Sequence, residues 1–191
     1  MERNSREYLV RRARAAIAAA LRDQAVPDEA APEEVRRTQC GLFVTLHHQP
    51  EADATPRLRG CIGHLQGRDR LDREIISVAQ QAAYADPRFA PLASLEELDD
   101  VVIEVSLLSP FEALHDIETI EPGRDGLYIT CGSRSGLLLP QVASDRGWDR
   151  LTFLRHLCIK AGCREECWSD PQAQLYRFQA EVFDEHSLGM R

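Results

Sequence analysis

The chain lacks any run of about 18 uninterrupted apolar residues, the length a helix needs to cross a bilayer, so it does not read as a membrane protein. It also lacks an apolar signal core followed by a cleavage site. Met1-Glu2-Arg3-Asn4-Ser5-Arg6 leads straight into an Arg- and Ala-rich segment, nothing directs export, and the cytoplasm is the expected compartment. Positive charge is in deficit, with 23 Lys and Arg against 31 Asp and Glu and a formal net charge of -8. Nonspecific nucleic-acid affinity comes mainly from Lys and Arg displacing counterions, and no basic patch offsets the deficit, so nucleic acid is not an expected partner. The early arginines Arg3, Arg6, Arg11, Arg12, Arg14 and Arg22 spread around the polar face of a helix. Missing too are a P-loop, a dinucleotide glycine fingerprint, a nucleophile elbow and a paired-His metalloprotease motif. No cofactor is expected.

What is present is ordinary globular composition, 43% hydrophobic and 28% charged over 191 residues, enough chain for one core or two closely packed lobes. Leu9, Val10, Ala13, Ile17, Ala20 and Leu21 recur at helical spacing after Asn4 and Glu7, which read as a capping box. Asp23 to Glu34, with Pro27 and Pro32, reads as an exposed loop. Cys40 to His48 and Leu58 to Leu65 are rich in strand formers and suggest a hairpin with a long polar loop from Gln49 to Arg57. A helix from Leu71 must stop near Asp86, because Pro87 disfavours helical geometry in the residue before it. Ser94 and Glu97 form a second capping box, and Val101 to Leu108 follows as a strand.

The order then repeats. Leu127 to Cys131 and Leu137 to Leu139 make a hairpin around Gly132 to Gly136, a helix runs from about Asp149 to a stop at Gly162, and Leu175 to Phe183 alternates as a last strand. Hairpin, helix and strand twice over argue for an α+β fold of two related halves with antiparallel sheet. The halves fall at about 36–110 and about 111–186, added to the N-terminal helix in a single domain spanning the 191 residues.

The most informative segment is Leu58-Arg59-Gly60-Cys61-Ile62-Gly63-His64. Gly60 and Gly63 weaken a strand by entropy and lost packing, so they mark a bulge or a place where another backbone or a ligand comes very close, which makes them candidate binding residues. If the strand is regular, Arg59 and Cys61 share a face about 6.6 Å apart, and His64 falls on the other face unless Gly63 bulges. An Arg charge at that separation favours a thiolate by about 2.5 kcal/mol at an effective dielectric of about 20, before burial opposes it. Cys61 and Arg59 are therefore the catalytic candidates. The alternative reading of Cys61 is a small buried residue in a glycine-rich strand. Glu104 interrupts an apolar strand, as does Glu181. The outward positions of a half-exposed sheet are expected to be polar, but a carboxylate there can also act as a general base, which makes Glu104 a further binding candidate.

A reducing compartment makes the six cysteines, Cys40, Cys61, Cys131, Cys158, Cys163 and Cys167, core residues or reactive thiols rather than bridges. The Cys-x4-Cys-x3-Cys spacing from Cys158 fits no zinc ribbon or ferredoxin, and Cys158 lies on an apolar helical stripe, so no metal site is expected. Asp86-Pro87-Arg88-Phe89 reads as a structural turn in which Arg88 pairs with Asp86 or a carbonyl and Phe89 anchors the loop.

In order, Leu58-Arg59-Gly60-Cys61-Ile62-Gly63, Ala85-Asp86-Pro87-Arg88-Phe89 with Pro91, and Ile103-Glu104-Val105-Ser106 resemble the AMMECR family, whose microbial members are called AmmeMemoRadiSam system protein A. Asp125-Gly126-Leu127, Leu139-Pro140-Gln141-Val142-Ala143, Gly147-Trp148-Asp149, Lys160-Ala161-Gly162 and Trp168 extend the resemblance over nearly the whole chain past the first helix. The resemblance implies an α+β fold with two related β-rich halves and no established activity. It also implies an association with a Memo-like protein and a radical S-adenosylmethionine enzyme in a modification or redox pathway. The chain lacks the Cys-x3-Cys-x2-Cys motif of the radical enzymes, so it is not itself that enzyme. Two functions are then in view. One is a binding or scaffold component whose Cys61 strand is structural, and the other is a small enzyme with Cys61 as nucleophile or redox thiol beside Arg59.

Overall fold

The computed structural model describes residues 1–51 and 54–191, so part of the long hairpin loop expected at Gln49 to Arg57 lies outside the described residues. The chain divides into two compact units, Met1–Leu108 with Glu181–Arg191 (unit one) and Ser109–Ala180 (unit two).

In unit one, helix α1 (Arg3–Leu21) and the short α2 (Glu33–Arg37) precede the hairpin of β1 (Gly41–His48) and β2 (Arg57–His64). Helix α3 (Leu71–Tyr84), helix α4 (Leu95–Asp99) and strand β3 (Val101–Leu108) follow. β1 is antiparallel to both β2 and β3. The apolar stripes read from the sequence meet here: Leu9, Val10, Ala13 and Ile17 of α1 and Ile75, Val78, Ala79 and Ala82 of α3 pack with Leu42, Val44, Leu46, Val101, Ile103 and Val105 of the sheet.

The capping box at Asn4 is not formed. The helix starts two residues earlier, at Arg3 with Glu2 as N-cap, which puts Asn4 inside the first turn and leaves Glu7 to accept from Arg3 Nε at 2.7 Å. The box at Ser94 does form, with Ser94 Oγ accepting from Glu97 N at 3.2 Å. Of the early arginines, Arg3, Arg11 and Arg22 are exposed; Arg3 pairs with Glu7, Arg6 with Glu181, Arg11 with Glu29 and Arg14 with Glu185, while Arg12 is buried. Buried Glu185 also accepts from Ile103 N at 3.0 Å, so the C-terminal residues lock α1 onto β3.

Unit two contains β4 (Glu112–Ala113), β5 (Gly126–Cys131), β6 (Arg134–Leu138), α5 (Pro140–Arg146), α6 (Arg150–Lys160) and β7 (Ala173–Phe178). The β5–β6 connection is tighter than expected, only Gly132-Ser133 with Gly132 at φ +61°. Gly162, at φ +69°, follows α6 in the left-handed position that suits a residue without Cβ. Phe153, Leu154, Leu157 and Cys158 of α6 pack with Leu127, Ile129 and Leu175.

Two expectations need correction. The alternating Leu175 to Phe183 run is not one strand: it breaks at Gln179, whose N–H and C=O both go to Ser109, and continues as β8 (Ala180–Asp184) beside β3 of unit one. The two sheets are ordered β2-β1-β3-β8 and β6-β5-β7-β4, so each hairpin takes its third strand on the same side and gains a fourth beyond it. The fold is thus α+β with antiparallel pairing, as the repeated order implied. Second, Cys158 and Cys167 form a disulfide with a Cα–Cα distance of 5.9 Å. After α6 the chain turns back through Gly162 and the Arg164 carbonyl accepts from Cys167 N, which returns Cys167 to the buried stripe that holds Cys158. Among the described residues no helix is long and apolar enough to cross a membrane.

Candidate functional site

β2 is an edge strand, and Cys61 faces Thr45 across the β1–β2 ladder. The N–H and C=O of Cys61 are taken by the loop after α3. Cys61 N donates to Asp86 Oδ2 at 2.9 Å, and Arg88 Nη2 donates to the Cys61 carbonyl at 3.3 Å. Asp86, only 5% exposed, also accepts from Arg88 N at 3.1 Å, from its Nε at 2.9 Å and from its Nη2 at 2.7 Å. The Arg88 guanidinium first, then the Cys61 and Arg88 N–H groups, hold the Asp86 carboxyl well below the usual carboxylate range against the opposing cost of burial. Arg88 also lies over Phe89, its guanidinium carbon 5.4 Å from the ring centre. Asp86-Pro87-Arg88-Phe89 is therefore the structural turn its sequence suggested. Its clip onto an edge strand 25 residues earlier was not legible in the sequence, since a turn motif says nothing about which edge it caps.

Arg59 does not share the surroundings of Cys61. The ladder passes from Leu46 opposite Gly60 to His47 opposite Leu58, leaving Arg59 as the extra residue of a β-bulge. The period-two argument that placed Arg59 beside the sulfur fails at that point. Its Nε and Nη2 both bind Glu97 Oε1 at 2.7 Å, and its Nη1 donates to Ala90 O at 2.8 Å. The arginine that acts on Cys61 is Arg88. Burial pushes the Cys61 thiol up; the Thr45 hydroxyl, donating to Sγ at 3.4 Å, and the Arg88 charge oppose this, while Glu104 and Asp86 add to it. Burial thus outweighs the two opposing groups and disfavours the thiolate.

The glycines answer to the protein's own backbone. A Cβ on Gly60 would lie 2.2 Å from Ala82 O of α3, and one on Gly63 would lie 2.3 Å from Phe43 Cγ and 2.4 Å from Leu42 O. Glu104 stands opposite Thr45 on the other side of β1, so Cys61, Thr45 and Glu104 form a cross-strand row, and Glu104 Oε2 is 3.7 Å from His47 Nε2. His64 is directed elsewhere, its Nδ1 2.9 Å from Oε1 of buried Glu74. Among the described residues, no group of three or more His, Cys, Asp or Glu side chains is arranged to hold a metal ion.

Around the clip the surface is exposed: Arg57, Pro87, Arg88, Ala90 and Pro91 are open to solvent, and Leu58 is 42% exposed on the edge strand. This arrangement presents a loop fixed at several points beside the edge strand.

The chain matches the AMMECR1 family model over residues 10–183. It is 40% identical over 185 residues to protein MK0488 of Methanopyrus kandleri, covering 94% of this chain and 87% of that protein. It is 44% identical over 188 residues to protein TK0174 of Thermococcus kodakarensis, covering 94% and 89%. The crystal structure of the uncharacterized protein PH0010 from Pyrococcus horikoshii superposes with a TM-score of 0.82 at 41% identity, over 93% of this chain and 90% of that one. With a family match across both units and a solved relative of the same fold, this chain belongs to the AMMECR1 family.

Proposed function

We propose that the protein is a binding or scaffold component that offers the loop from Asp86 to Pro91, together with the adjoining edge of β2, to a protein partner. The observation that carries this reading is the clip at Cys61: both backbone polar groups of that residue are committed to Asp86 and Arg88, and Arg59 holds Ala90 O from the same strand. A loop fixed at several points has little conformational freedom left to lose on binding, which favours recognition by preorganisation. The exposed Leu58 supplies an apolar contact beside it. The same clip, with a sulfur whose thiolate is disfavoured, speaks against Cys61 as a nucleophile.

The resemblance nominates a Memo-like protein and a radical S-adenosylmethionine enzyme as partners, in a modification or redox pathway. The test is titration calorimetry of the purified chain against each of the two candidate proteins. A micromolar or tighter complex weakened about tenfold or more by Leu58→Glu, an exposed position whose loss leaves the fold intact, supports the reading. Wild-type affinity in Leu58→Glu and Arg88→Ala together would refute the surface, and loss of binding in Cys61→Ser alone would return the role to the thiol.

A further inference from the structure

A cavity of about 350 Å³ opens in unit two, away from every residue invoked for the loop surface. It lies where β4 and β7 run past the start of β5, with Glu112 opposite Arg177 and Phe178 opposite Gly126. Its walls are fixed. Buried Phe178 packs so close to Gly126 that a Cβ there would meet its ring at 2.4 Å. Buried Asp125 accepts from Arg124 Nε at 2.8 Å, from Arg124 Nη2 at 2.9 Å and from Glu121 N at 2.9 Å. At the rim Ser109 N donates to Gln179 O at 2.8 Å, and Gln179 N donates back to Ser109 Oγ at 2.9 Å.

Other groups in the lining have hydrogen-bonding capacity to spare. Arg177 donates to Glu112 Oε2 through Nε alone, at 3.1 Å. Both Nη groups of Arg177, Glu112 Oε1 and the side-chain amide of Gln179 are left without a hydrogen-bond partner among the described residues. Glu112 and Asp125 cancel the charges of Arg124 and Arg177, so a plain anion would gain Arg177 but face Glu112, and a plain cation would meet the reverse. A zwitterion uses both spare groups and displaces neither ion pair. The volume has room for roughly a dozen non-hydrogen atoms. We propose that this cavity binds a free α-amino acid, its carboxylate on the Nη groups of Arg177, its ammonium on Glu112 Oε1 and the Gln179 side-chain carbonyl, and its side chain toward Phe178.

The experiment records saturation-transfer NMR of the full chain with each standard α-amino acid. It then compares the strongest binder with the same molecule amidated at its carboxylate or acetylated at its amine, and with succinate and putrescine. The expected result is saturable binding of at least one amino acid with a dissociation constant below about 10 mM, weakened about tenfold or more by either cap. Glu112→Gln and Arg177→Gln should each weaken it to the same degree. The Glu112 side chain is 66% exposed, so its variant keeps the fold, and the capped ligands probe the wild-type chain whether or not Arg177→Gln folds. No amino acid bound below about 10 mM, full affinity after either cap, equal affinity for succinate or putrescine, or unchanged binding in either folded variant would each overturn the proposal.

Discussion

Asp86→Asn isolates the clip. The carboxylate accepts four hydrogen bonds, two at each oxygen, from Cys61 N and from the main chain and guanidinium of Arg88. An asparagine side chain keeps one acceptor oxygen and turns an NH2 toward two donors, whichever way it is oriented. If it keeps Cys61 N, it loses the pair of bonds to Arg88 N and Nε. Charge-assisted bonds contribute about 1.5–3 kcal/mol each, but the Arg88 side chain is 55% exposed and recovers part of that loss from water. The expected cost is therefore about 2–3 kcal/mol at pH 7, or roughly 5–10 °C in the thermal midpoint for a chain of this size. The pH dependence has a definite sign. The folded carboxyl titrates below its ordinary value of 3.8, so its stabilisation is complete above that pH and is lost as the pH falls through the folded value. The gap between wild type and Asp86→Asn should be flat from pH 7 down to about 5 and close below about 4. Thermal unfolding across that range measures it. A gap under about 0.5 kcal/mol at pH 7, or one that widens in acid, would falsify the account of Asp86 as a buried, charge-stabilised clip.

The cysteine at the clip should show its surroundings in its reactivity. Iodoacetamide modification of Cys61 should slow in Arg88→Ala, because the charge that partly offsets burial is gone, and stay unchanged in Arg59→Ala; peptide mapping that finds the reverse would restore Arg59 as the partner of the thiol. Gly60→Ala and Gly132→Ala should differ in kind. The first drives a methyl into Ala82 O and should cost about 3 kcal/mol or more in denaturant unfolding, while the second meets no atom within 4 Å and should cost only the left-handed backbone penalty of about 1–2 kcal/mol. Equal costs would mean that α3 yields freely to the Gly60 methyl.

Much of the scaffold was legible because it is written in local periodicity. The stripes of α1 and α3, the alternation of β1 and β3, the Ser94 box and the stop at Gly162 all depend on residues within one or two turns of each other. The candidate site was legible only as a location. The glycines correctly marked a close approach, but what approaches is α3 and the protein's own β1, and no local pattern names a partner so far along the chain. The bulge at Arg59 reversed a facing argument that is valid only for an unbroken pleat. The split of the last strand escaped for a related reason: apolar alternation runs through Gln179 without a break, and which sheet a strand joins is set by tertiary contacts. The Cys158–Cys167 bridge was missed because a compartment argument was set against a geometry that depends on the turn after α6.

The order in which sequence reaches each unit sets an order of assembly. Unit two occupies Ser109–Ala180 without interruption, while unit one must wait for Glu181–Arg191 to supply both the strand beside β3 and the carboxylate that neutralises Arg14. A growing chain folds from its N-terminal end where it can, so until those final residues emerge β3 is an unpaired edge and Arg14 is a cation with no counterion. A chain ended at Ala180 should accordingly keep a protease-resistant fragment from Ser109 onward while residues before Leu108 are cut, and full resistance of both segments would show that unit one closes without its tail.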